Sequence, residues 1–234
     1  MKTILRLSIC LLVGIVTMPS ALQSEPEQNN GVWMMKASQG VLGERNSAYR
    51  WWLDAHARYS DDANGFEQSI FRPGLGYALP QNHTLWGGYG WIASSPEVGD
   101  TVHEHRIWQQ HSWKTTIKDF GFSSRSRLEQ RFREGVNDDT GWRFRQFFKV
   151  THPLGADSSF YWSTWDEVFL NLNDTDWGAE SGLDRNRIFL GIGWQPESVD
   201  YFKAEAGYLN QFIHNPSNPS RMDHLLSLNV FFSF

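Results

Sequence analysis

Cysteine is nearly absent: one residue, Cys10, in a chain of 234. It lies within the apolar run Leu7–Met18, which follows Lys2 and Arg6 and is broken by Pro19. A positive start, a short apolar run and small residues beyond it (Ser20, Ala21, Ser24) form the pattern of an export signal. Residues 1–24 are therefore expected to be removed, at a site the residues leave open, and 25–234 to form one domain. A lipoprotein reading of Leu7-Ser8-Ile9-Cys10 fails because the apolar run continues past the cysteine. Without Cys10 the mature chain has no disulfide, thiol nucleophile or thiolate metal ligand.

Long apolar runs are missing too. Leu7–Met18 is shorter than the roughly 20 residues a membrane helix requires, and no comparable run follows. There is no basic surplus either. The net charge is −5, which removes the general attraction for nucleic acid. What the chain does have is aromatic residues, 12 Trp, 7 Tyr and 16 Phe, in a polar sequence of mean hydropathy −0.48. A membrane barrel uses such a composition, with aromatics at both interfaces and alternate residues facing a polar interior. Without apolar helices, spanning a bilayer requires a closed barrel.

The period-two signal begins at Tyr49. Tyr49, Trp51, Leu53, Ala55, Ala57 and Tyr59 share one face, and Arg50, Asp54, His56 and Arg58 the other. Phe71, Leu75, Tyr77 and Leu79 alternate with Arg72, Gly74 and Gly76, and Leu85, Tyr89 and Trp91 with Gly88 and Gly90. Inner-face glycines leave room for large neighbours or for sharp curvature. In the middle of the chain, Phe120, Phe122, Leu128 and Phe132 oppose Arg125, Arg127, Glu129, Arg131 and Arg133. Trp142, Phe144, Phe148 and Val150 oppose Arg143, Arg145 and Lys149, and Ile188, Leu190, Ile192 and Trp194 oppose Arg185 and Arg187. A soluble sandwich with a charged outer face is the competing reading. The export signal and the tryptophans at strand ends favour lipid.

At the other end, Leu226, Leu228, Val230, Phe232 and Phe234 alternate with Ser227, Asn229 and Ser233. This pattern resembles the recognition signal of the outer-membrane barrel assembly machinery, with Phe234, Phe232, Val230 and Leu228 as its elements. Short connections (80–82, 114–118, 153–157, 195–198) alternate with longer ones (94–101, 134–139, 173–182, 214–220), as periplasmic turns and extracellular loops do. Ten strands follow from Tyr49 to Phe234, with an eleventh candidate at Val32–Ser38. The expectation is an all-β, single antiparallel barrel of 10–12 strands. An eleventh strand breaks parity unless another is hidden or that segment lies outside the closed ladder.

Taken in order, several short patterns are similar to one family. They are Trp33, Arg72-Pro73-Gly74-Leu75-Gly76-Tyr77, Gly88-Tyr89, Arg106-Ile107-Trp108-Gln109-Gln110, the run Arg125 to Phe132, and Arg143-Phe144-Arg145. Asp166-Glu167-Val168-Phe169, the run Asn186 to Gly191, and Gly207-Tyr208 complete the series. The chain thus resembles the domain-of-unknown-function 2490 family over residues 31 to 234. The resemblance implies an outer-membrane barrel of unassigned activity and supplies no catalytic residues.

The inward arginines are the strongest candidate for function. The alternation places Arg125, Arg127, Glu129, Arg131, Arg143, Arg145, Glu167, Arg185 and Arg187 on a polar ladder lining the lumen. Such a ladder could attract small anions or close a narrow barrel with cross-strand ion pairs. Glu129 and Glu167 are the obvious partners, with Glu205 and Lys203 further along; both readings stay open here, although arginines outnumber the acids near them. A lipid-modifying hydrolase is the alternative, but Ser112 and His111 are adjacent and so face opposite ways, and His214 adjoins the turn-like Asn215–Pro219. His103, His105 and His111 near Glu104 could bind a metal, yet an ordinary polar surface explains them as well. The acidic tips Asp138-Asp139 and Asn173–Asp176 near Glu180 could hold Ca²⁺, or simply be solvated. The expected role is thus that of a monomeric Gram-negative envelope protein without cofactor or metal. Its expected partners are outer-membrane lipids, lipopolysaccharide and, during insertion, the assembly machinery, with no nucleic acid.

Overall fold

β-branched and aromatic residues at every second position fit a pleated sheet with two unlike faces, and the segments read above form strands. The computed structural model describes residues 25–61, 65–96, 99–136 and 139–234, so the expected export signal, 1–24, lies outside the described residues. In chain order the strands are β1 (Glu27–Val41), β2 (Tyr49–Ser60), β3 (Gly65–Leu79), β4 (His83–Ser94), β5 (Val102–Ile117) and β6 (Phe120–Arg133). They continue with β7 (Gly141–Pro153), β8 (Phe160–Asn171), β9 (Gly182–Trp194), β10 (Phe202–Ile213) and β11 (Arg221–Ser233). Each strand pairs antiparallel with the next, and β1 closes the barrel on β11.

That closing pair is parallel, with Glu27 opposite Arg221 and Gln39 opposite Ser233. The idea that an eleventh strand must have a hidden partner or lie outside the ladder is therefore corrected. Val32–Ser38 is the middle of β1, paired on both sides. A parallel ladder uses evenly spaced, slanted bonds, so one parallel seam absorbs the odd count without leaving an edge open. Beyond Ser233, Phe234 donates its N–H to the Gln39 carbonyl at 2.9 Å and accepts from Val41 at 3.2 Å.

The connections divide between two rims. The C rim, where β11 ends, carries 42–48, 80–82, 118–119, 154–159 and 195–201. The N rim, where β1 begins, carries 61–64, 95–101, 134–140, 172–181 and 214–220. The alternation of short and long is looser than the sequence indicates, since 42–48 and 195–201 match 95–101 in length. The tightest turns are on the C rim. Gln81 and Asn82 both have positive φ (58° and 63°), the signature of a two-residue hairpin turn whose twist matches the strands. The turn expected over 114–118 sits instead at Lys118-Asp119, because β5 runs on to Ile117. Lys118 takes φ 55° there.

The barrel is apolar outside and polar within. Leu190 is 63% exposed on the outer face, while Glu129 is 0% exposed and Arg127 1%. Outer-face aromatics collect near both rims. Tyr49 meets Tyr77, and Phe234 stacks between Trp51 and Tyr201, at the C rim. Tyr59 meets Phe66, and Trp91 meets His103, at the N rim. Inside, one wall is packed by Trp33, Phe189, Leu209 and Leu225, with Trp165 against them.

Indoles also lie flat over the inner surface of β3 and β4. A Cβ at Gly88 would stand 2.3 Å from the Trp108 ring and 2.4 Å from the Pro73 carbonyl oxygen. The carbonyl is backbone and cannot yield as a side-chain tip does. Gly88→Ala is expected to lose about 1–3 kcal/mol from overpacking, read as a lower urea midpoint in micelles. An unchanged midpoint would mean that Trp108 is loosely seated.

Candidate functional site, a charged lumen

Strand register decides which charges meet. Arg143 lies opposite Glu129, and Arg131 opposite Arg106. Directly and diagonally opposed side chains are within reach of one another. Glu129 is the hub. Its carboxylate accepts from Arg143 Nη2 and Arg145 Nη1, both at 2.6 Å, and has Arg106 and Arg127 at 3.8 Å. Glu167 accepts from Arg145 Nη2 at 2.7 Å and Arg125 Nη2 at 2.8 Å. Glu104 takes the Nε of Arg106 at 2.5 Å and of Arg131 at 2.8 Å. Arg143 also reaches Asp184 at 3.2 Å, and Asp184 holds Arg185 at 2.8 Å.

Seven of the nine ladder residues, Arg125, Glu129, Arg131, Arg143, Arg145, Glu167 and Arg185, thus join one ion-paired network completed by Glu104, Arg106 and Asp184. The network is cation-rich, and burial makes each pairing count. Arg127 touches it only at 3.8 Å and is instead held by Gln110 Oε1 (2.9 and 2.6 Å), with its guanidinium 4.5 Å from the Trp108 ring. Arg187 donates to Gln211 Oε1 at 2.7 Å. Glutamine orients a guanidinium through its carbonyl but does not neutralise it.

Other inner residues lie outside the expected ladder, although Glu205 is an expected partner further along the chain. Asp54 holds Arg72 (2.8 Å), His56 (2.9 Å) and the Trp52 indole N–H (2.6 Å). Lys149 pairs with Glu205, which also accepts from Tyr161 at 3.0 Å. The alternation already puts Asp54, His56, Arg58 and Lys149 inside, and Arg72 and Arg106 stand in the motifs quoted above. A signal existed for all of these. None existed for the glutamines, which look like any polar inner residue.

Between these groups a cavity of about 1220 Å³ remains. Its walls run from Gln68, Ser94 and Arg221 near the N rim to Ser159, Glu197 and Asp200 near the C rim. Loop 172–181 leans into the N-rim mouth. Trp177 lies 4.9 Å from the Arg131 guanidinium, and its carbonyl accepts from Arg133 at 3.2 Å.

The remaining candidates are not assembled. Ser112 faces inward and takes the Trp86 N–H at 2.9 Å, whereas His111 meets His83 at 2.9 Å outside. His214 tilts against Phe212. His103 stacks on Trp91, while His105 bonds Tyr89 and Glu134 and Glu104 turns inward. The His105 hydrogen bond holds the Glu134 carboxyl below its ordinary range. Asp138 lies outside the described residues. Asp139 and Asp174 each accept, on one carboxylate oxygen, the backbone N–H of Asp176 (3.0 Å) and Ser181 (2.6 Å) respectively. Among the described residues no group of three or more His, Asp or Glu could hold a metal.

Comparison with known proteins supplies a family and no activity. No solved structure matches the chain. An uncharacterized protein of Methylorubrum extorquens is 30% identical over 228 residues, covering 96% of this chain and 94% of its own length. Residues 30–223 match the family described as "Protein of unknown function (DUF2490)", and the chain belongs to that family.

Proposed function

We propose that the protein is an outer-membrane barrel whose lumen is a narrow, anion-preferring pathway for small solutes. One observation carries the reading: a single cavity reaches residues beside both rims, within walls where arginine outnumbers carboxylate. Cation-rich constrictions favour negative solutes. The membrane part is supported by the outer apolar face, the aromatics near both rims and the export-signal pattern. Lipid and lipopolysaccharide would then surround a monomer. Phe234, Phe232, Val230 and Leu228, on β11 and just beyond it, would be read by the assembly machinery during insertion.

The full chain reconstituted in a planar bilayer is expected to give ohmic conductance with anion preference. Arg125→Glu alters a cavity-lining, partly exposed arginine and is expected to lower or invert that preference. Silence at every voltage would overturn the pathway and leave a filled barrel. Solubility without detergent, with identical gel migration before and after boiling, would overturn the membrane reading.

A further inference from the structure

Two lumen arginines have no carboxylate partner among the described residues, and both lie against the same indole. Trp33 on β1 is register-paired with Arg58 on β2. The Arg58 guanidinium sits 3.9 Å from the Trp33 ring, and the Arg187 guanidinium, from β9, sits 4.8 Å from it. Among the described residues neither arginine has a carboxylate oxygen within ion-pair distance. Glu67, which also lines this part of the cavity, is engaged by Arg221 at 3.5 Å. Arg58 is fixed by Gln68 (2.6 Å), itself fixed by Ser94 (2.6 Å), and Arg187 by Gln211, itself fixed by Asp223. The two cations are therefore positioned without being neutralised.

Two donors remain open. Trp33 and Arg58 are 7% and 8% exposed, yet Trp33 Nε1 and Arg58 Nε have no hydrogen-bond partner among the described residues. A buried donor without an acceptor is costly, and native proteins seldom leave one. Trp33, Arg58 and Arg187 all line the cavity. Two guanidiniums held within 5 Å of one indole ring, with buried N–H groups that lack an acceptor beside the cavity, form a receptor for an oxyanion.

We infer that Arg58, Arg187 and Trp33 form a binding subsite for the carboxylate or phosphate group of a small solute. The subsite rests on the lumen reading proposed above, and it sits at mid-strand on β1 and β9. The cation–π contacts hold the guanidinium planes in place.

Calorimetric titration of the full chain, folded in detergent, with inorganic phosphate and separately with succinate would test this. Saturable binding of at least one is expected, and the tighter of the two assigns the headgroup. Gln68→Glu keeps the shape but gives Arg58 an internal counterion, and it is expected to weaken binding about tenfold, as is Arg187→Gln. Gln68→Glu adds an ion pair and leaves the packing alone, so it keeps the test valid if Arg187→Gln fails to fold. No saturable binding of either anion by the unaltered chain, or unchanged binding in Gln68→Glu, overturns the subsite. Binding without conductance would sustain the subsite and refute the pathway. Conductance without binding would do the reverse.

Discussion

Glu129→Ala is expected to destabilise the barrel by about 3–5 kcal/mol, the scale for stripping one partner from a buried ion pair. Its carboxylate is the only one that Arg143, Arg145, Arg106 and Arg127 all approach within 4 Å among the described residues. Removing it leaves buried guanidiniums facing one another in a low-dielectric interior. Arg143 would keep Asp184 and Arg145 would keep Glu167, so the loss falls hardest on Arg127, whose other partner is the uncharged Gln110. Urea unfolding of the full chain in lipid vesicles, followed by tryptophan fluorescence, measures the effect. Glu129→Gln should recover only part of it, since an amide accepts a hydrogen bond without cancelling charge. A change below about 1 kcal/mol, the size typical of an exposed pair, would show that the network does not hold the lumen together.

Ile188→Arg is expected to cost about 2–4 kcal/mol in vesicles, the range for a cation at the bilayer midplane on a barrel's lipid face. Ile188 lies at the centre of β9 and is exposed on the outer face. Trp194 ends the same strand on the same face, and Trp194→Arg at that depth should cost only the smaller interfacial charge penalty of about 0–1 kcal/mol beyond the lost ring contact with Phe202. A depth-dependent penalty is a property of lipid. On a soluble barrel the Ile188 change would be close to neutral, so equal small effects at both sites would remove the protein from the membrane.

Much of this architecture is legible because a strand's faces alternate along the chain itself. Ile188, Leu190 and Ile192 can be told from Arg187 by counting in twos, and the ladder residues can be placed inside before any pairing is known. The pairing is different. Arg143 and Arg187 look alike in sequence, each an inner arginine among outer apolar residues. One reaches Glu129 and Asp184, and the other only an amide. Arg187 even stands opposite Glu167 in register, but that carboxylate is turned to Arg145 and Arg125. Which arginine is left with its charge free depends on register between strands and on competition for each carboxylate, and alternation encodes neither. The same limit hid the seam. Val32–Ser38 reads as a strand, but nothing local reveals that its second neighbour is the last strand and runs in the same direction.

That seam fixes how the chain can be rewired. In an even-stranded barrel the first and last strands are antiparallel and meet at one rim, so a short linker can join them and new termini can be opened elsewhere. Here the start of β1 and the end of β11 are at opposite rims, and joining parallel strands takes a crossover of a dozen residues or more. Such a linker would have to thread the lumen among the arginines or cross the apolar outer face. Circular permutation of this barrel therefore demands a crossing linker that an even-stranded barrel does not need.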